Sequence, residues 1–149
     1  MSSQTSNTAT GKPTENPPFV WPCVNYRDAP AAIRFLTEAF GFVSTGTYTA
    51  EDDESVVHHA ELLWPEGGGI MLGTADRPES EFSQMPTGCA SIYVVTDHPD
   101  ALFKRATDAG AEVVRGLRDE DYGSRGFSVR DPERNIWSFG TYRGDPMPA

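Results

Sequence analysis

From about residue 20 onward, the chain switches between two kinds of hydrophobic spacing, and it makes the switch twice. Ile33, Leu36 and Phe40 recur at helical spacing, as do Leu102, Ala106 and Ala109. A period near 3.6 residues predicts an amphipathic helix in each place. Asp28 and Asp97 stand where an N-cap belongs, Pro30 and Pro99 fall in the first turn, and Gly41 and Gly110 follow the last turn. These are the expected start and stop signals. Each helix is followed by three stretches with strand character: "FVSTGTYTA", "SVVHHAELLW" and "GGIMLG" after the first, "EVVRGLR", "SRGFSVR" and "NIWSFG" after the second. The final hairpin of each set turns on a Pro-Glu pair, Pro65-Glu66 or Pro132-Glu133.

The two sets align at an offset of 69 (97 minus 28), which pairs Pro30 with Pro99, Ile33 with Leu102 and Gly41 with Gly110. A strand also precedes each helix. The predicted fold is therefore α+β: two βαβββ modules, the first at about 19–75 and the second at about 88–143, in one domain spanning 19–143. Each module buries one sheet face under its helix. Its other face is free to curve, so a curved mixed sheet around a cleft is expected.

Composition changes the picture mainly at the ends. With 38% hydrophobic residues and 16 aromatics, the chain can build a real core. Residues 1–18 are mostly Ser, Thr, Asn and Pro and read as a flexible tail, and 144–149 form a short C-terminal tail. No apolar segment resembles a secretory signal or spans a bilayer, so a cytoplasmic protein is expected. A net charge of −10 argues against nucleic acid and anionic membranes as partners. It favours a cationic ligand wherever the charges converge. Cys23 and Cys89 form neither a disulfide framework nor a zinc spacing, and read as reduced core thiols. "PEGGGI" is a hairpin turn, because no Lys-Ser/Thr follows to make a phosphate loop.

The helix "RDAPAAIRFLTEAFGF" and the stretch "DYGSRGFSVRDPERNIWSFGTY", set in two βαβββ modules, resemble the vicinal oxygen chelate superfamily, within it the glyoxalase/bleomycin-resistance-like proteins. The resemblance covers about 19–143. It implies the glyoxalase/bleomycin resistance/dioxygenase fold, with a cleft that holds a divalent metal in some members and a drug without metal in others. It also implies a homodimer that completes each cleft across its interface. The positions that would carry metal ligands are Trp21, Met71, Ser91 and Ser138 here, with Ser138 standing where a metal-binding Glu would be. Indole, thioether and hydroxyls do not make a hard-cation site. No metal and no cofactor are therefore expected. The hairpin departs from the family in one position, Arg134, where a Gly is usual. If that position needs positive φ, Arg costs on the order of 1 kcal/mol.

With those four positions in the cleft, strand alternation adds Cys23, Tyr93 and Ile136 to it. Ile70, Leu72, Ile92, Val94, Trp137 and Phe139 then face the helices. Ala60, Leu62, Trp64, Phe127 and Val129 suit the core, which leaves His59, Glu61, Leu63, Ser128 and Arg130 on the cleft side. The candidate ligand-binding residues are Trp21, His59, Glu61, Met71, Ser91, Tyr93, Ser128, Arg130 and Ser138. They suit a small organic molecule with aromatic or cationic parts, such as a drug or natural product, bound without turnover. Two alternatives stay open. One is a lyase, isomerase or dioxygenase using His59 and Glu61 for metal or acid/base chemistry. The other is a domain whose natural partner is another protein.

Overall fold

A computed structural model describes residues 3–4, 18 and 20–149, so most of the expected flexible tail at 1–18 lies outside the described residues. A short strand β1 (Ser3–Gln4) precedes module one, which comprises β2 (Cys23–Tyr26), α1 (Ala29–Phe35), β3 (Val43–Ala50), β4 (Asp53–Leu63) and β5 (Gly69–Thr74). Module two comprises β6 (Ser91–Val95), α2 (Pro99–Asp108), β7 (Glu112–Asp119), β8 (Arg125–Arg130) and β9 (Ile136–Gly140). The first sheet has the order β1-β3-β4-β5-β2 and the second β6-β9-β8-β7. In each module the first strand pairs parallel with the last and the other pairings are antiparallel. Two βαβββ units in mixed sheets are thus present. Among the described residues no helix is long and apolar enough to cross a membrane.

The caps differ between the helices. Asp28 accepts from the Ala31 N–H at 3.1 Å and caps α1. Asp97 does not cap α2: the N-cap is His98, whose own N–H is taken by Thr96 Oγ1 at 3.0 Å. The Asp97 carboxylate accepts instead from Arg143 at 2.7 Å. After α1 the chain widens into a π-helical turn, Leu36–Phe40, which Gly41 ends at φ 92°. Arg105 of α2 donates to the Glu38 and Thr37 carbonyls there, at 2.8 and 3.1 Å.

Both modules share one core. Leu36 and Phe40 from the first helix region join Leu102 and Ala106 from α2 and the helix-facing side chains of both sheets. Phe40 packs on Phe139 with ring centroids 4.8 Å apart, and Phe42 packs on Trp64 and Trp137 at 5.0 and 5.6 Å. Ala109 is exposed rather than in this core, because α2 has already ended; Ala111 is buried just beyond it.

The module contact is also hydrogen-bonded with near-symmetry. Glu133 of the second Pro-Glu turn accepts the Arg27 and Asp28 N–H groups at 2.7 and 2.8 Å, and Glu66 of the first accepts the Asp97 N–H at 2.7 Å. The Asp-Pro-x-x-Asn stretch is explained by Asp131, which is 4% exposed. Its Oδ2 accepts from Tyr26 Oη, Trp137 Nε1 and Asn135 Nδ2 at 2.7, 3.0 and 3.1 Å. Its Oδ1 accepts the Glu133 and Asn135 N–H groups at 2.9 and 3.1 Å. Burial and the adjacent Asp131 carboxylate push the Tyr26 phenol well above its ordinary pKa, so it remains a donor.

Candidate ligand-binding faces

Because the helix-facing sides of both sheets meet in one core, their opposite sides point outward. Strand register arranges each outward side in rows. Across the first sheet, Glu61 pairs with Met71 and Met71 with Cys23. Across the second, Arg115 pairs with Ser128, Ser128 with Ser138 and Ser138 with Tyr93. Strand neighbours lie about 4.8 Å apart, so the second row runs roughly 15 Å from a guanidinium to a phenol.

On the first face, His59 Nε2 and Glu61 Oε2 are 2.8 Å apart, as i and i+2 residues on one side of β4. Both are partly exposed, with side-chain accessibilities of 40% and 36%. His59, Met71 and Cys23 line a cavity of about 230 Å³, together with Arg77 and Phe82 from the loop after β5. Trp21 lies over Gly69, where an added Cβ would sit 2.7 Å from its ring, and its Nε1 donates to the Pro18 carbonyl at 2.9 Å. Cys23 and Cys89 are both exposed, which corrects their reading as core thiols. For Cys23 the reason is strand parity: Val24 and Tyr26 take the buried side of β2.

On the second face, Tyr93, Ser128 and Ser138 line a recess of about 170 Å³ with Arg115, Glu120 and Tyr122. Ser128 Oγ and Ser138 Oγ are 2.7 Å apart. Tyr93 Oη donates to the Tyr142 carbonyl at 2.7 Å, and burial pushes its phenol pKa up. The Tyr142 ring meets Tyr122 edge-on at 5.7 Å. Gly140 makes room for the Tyr93 hydroxyl, which would lie 2.9 Å from an added Cβ. The Arg118 hydrogen bond holds the Glu120 carboxyl below the usual range. Ser91 is exposed at the edge of this sheet. Arg130 is tied back, donating to the Arg134 carbonyl at 2.9 Å and lying 3.9 Å from Glu112.

The structure therefore brings His59, Glu61 and Met71 to one face, and Tyr93, Ser128 and Ser138 to another. Within a single chain no described cavity joins the two sets. Arg115, Glu120, Tyr122 and Tyr142 were not among the expected site residues.

The side chains do not fit a hard divalent cation. At the four positions that would bind it stand an indole, a thioether and two hydroxyls, one of them bonded to Ser128. Among the described residues no three His, Cys, Asp or Glu side chains converge. His59 and Glu61 are two donors without a third.

Comparison with known proteins is consistent with this architecture. The family model described as Glyoxalase/Bleomycin resistance protein/Dioxygenase superfamily matches residues 19–139. The uncharacterized proteins Mb0911c of Mycobacterium bovis and Rv0887c of Mycobacterium tuberculosis are each 34% identical over 129 residues; the matches cover 83% of this chain and 82% and 74% of theirs. Among solved structures, TioX from Micromonospora sp. ML1 is similar with a TM-score of 0.66 and 29% identity, covering 79% of this chain and 93% of TioX. TnmS3, an antibiotic binding protein from Streptomyces sp. CB03234, shares the fold with a TM-score of 0.59 and 23% identity, covering 78% of this chain and 88% of its own.

Proposed function

The chain belongs to the glyoxalase/bleomycin resistance protein/dioxygenase superfamily, and from that premise we propose that it binds a small organic molecule without a metal and acts by sequestering it. The observation that carries this reading is the chemistry of the two outward faces. They present rings, a thioether and hydroxyls where a metal-using relative would need imidazole or carboxylate donors. Such surfaces hold a ligand by stacking and a few directed hydrogen bonds. The antibiotic binding described for TnmS3 supports a drug or natural product as the ligand class. The two faces lie on the far sides of their sheets from the shared core. A two-fold homodimer would set the first face of one copy against the second face of the other, making two identical clefts.

The test is a thermal-shift titration of EDTA-treated protein against divalent metals and a panel of aromatic natural products, beside a measurement of mass in solution. A ligand that binds the native state raises the melting temperature by mass action. Stabilisation of the metal-free dimer, with stoichiometric binding and no product, is the expected result. The His59–Glu61 contact at 2.8 Å favours a second reading, general acid/base catalysis. Product formation that His59→Ala abolishes would replace sequestration with that reading, and a metal-dependent shift lost in the same variant would overturn metal independence.

A further inference from the structure

The recess on the second sheet is built to donate hydrogen bonds, and this points to the charge class of what it takes. Two serine hydroxyls stand 2.7 Å apart, so one O–H serves the other and one remains for a further acceptor. The Arg115 guanidinium makes no hydrogen bond among the described residues and reaches Glu120 only at 3.8 Å. Glu120 is already engaged by Arg118 at 2.9 Å. The one carboxylate on the recess therefore has its cation, while a guanidinium and a hydroxyl still lack acceptors.

The walls add shape. Tyr93 and Tyr122 line the recess, and Tyr142 steadies both, through its carbonyl on one and its ring on the other. At about 170 Å³ the recess compares with a cavity of about 150 Å³ that admits benzene, so it holds one aromatic ring with its substituent.

We propose that this recess binds an aromatic ring carrying an anionic oxygen, an aryl carboxylate or phenolate, with Arg115 and the free serine O–H donating to that oxygen and Tyr93 and Tyr122 flanking the ring. The inference rests on the small-molecule-binding reading and narrows it. It runs against the net charge of −10, which by itself would favour cationic ligands. A local guanidinium in hydrogen-bond reach outweighs charges spread over the surface, because those are screened beyond about 8 Å at physiological salt.

The test is an NMR titration of the ¹⁵N-labelled full chain with benzoate and, separately, benzylamine. Benzoate should shift the signals of Arg115, Tyr122 and Ser138. Arg115→Ala should weaken it at least tenfold, and the amine should bind there at least tenfold more weakly. Both Arg115 and Tyr122 are well exposed, so Arg115→Ala and Tyr122→Ala should fold. Equal or tighter binding of the amine at these residues would overturn the inference while leaving sequestration standing. Unchanged benzoate binding in Arg115→Ala, or no binding of either compound, would overturn it as well. Only silence across the whole natural-product panel would also sink the broader reading.

Discussion

Asp131 should be the most costly polar side chain to remove. Its Oδ2 accepts from three buried side chains, Tyr26, Asn135 and Trp137, which are 1%, 0% and 0% exposed. An Asp131→Ala change leaves these three side-chain donors unpaired, together with the Glu133 and Asn135 N–H groups that Oδ1 accepts. At about 1–3 kcal/mol for each buried orphan, the three side chains alone sum to roughly 3–9 kcal/mol. Asp131 and Tyr26 also line a cavity of about 170 Å³, through which water can reach some of these donors. The lower half of that range applies, about 4 kcal/mol, a large part of a typical domain's total of about 5–15 kcal/mol. Asp131→Asn keeps an oxygen for the Glu133 and Asn135 N–H groups but turns an NH₂ toward the other three donors. The Tyr26 hydroxyl can rotate to accept, so two orphans remain and about 3 kcal/mol is expected. Urea unfolding followed by tryptophan fluorescence reads both variants. An Asp131→Asn loss below about 1 kcal/mol would refute the view that this carboxylate locks module two to β2.

Three further outcomes follow from the same geometry. The folded Tyr26 phenol has its pKa raised above the ordinary 10.0, so the unfolded chain ionises first. Its contribution is intact below pH 10 and falls above it, by up to about 1.4 kcal/mol per pH unit; urea midpoints across that range should be flatter by one proton in Tyr26→Phe. Arg134 sits at φ 79°, so Arg134→Gly should be more stable than Arg134→Ala by about 1 kcal/mol in paired denaturation curves, both having lost the same guanidinium contacts. Glu133→Ala frees two N–H groups at the entry to α1 and should cost about 1 kcal/mol by the same measurement, with Glu133→Gln recovering part of it.

The alternation of apolar residues was enough to assign strand faces. Ala60, Leu62, Phe127, Val129, Trp137 and Phe139 are buried, and His59, Glu61, Met71, Tyr93 and Ser138 stand on the other side, because side chains on a strand alternate whatever surrounds it. Gly41 and Gly110 end their helices with positive φ for an equally local reason. The second face was legible only in part. Arg115 escaped because β7 shifts register on both sides of it, at Val113/Arg115 and Arg115/Arg118, which breaks the two-residue period. Tyr122 lies in the turn before β8 and Tyr142 beyond β9, where no periodicity marks direction. Local pattern says which side of a strand is wet. Which strands become neighbours, and that both helix-covered faces share one core and turn the candidate faces outward, depends on contacts about 100 residues apart, such as Phe40 on Phe139 and Tyr26 on Asp131, which only the tertiary structure decides.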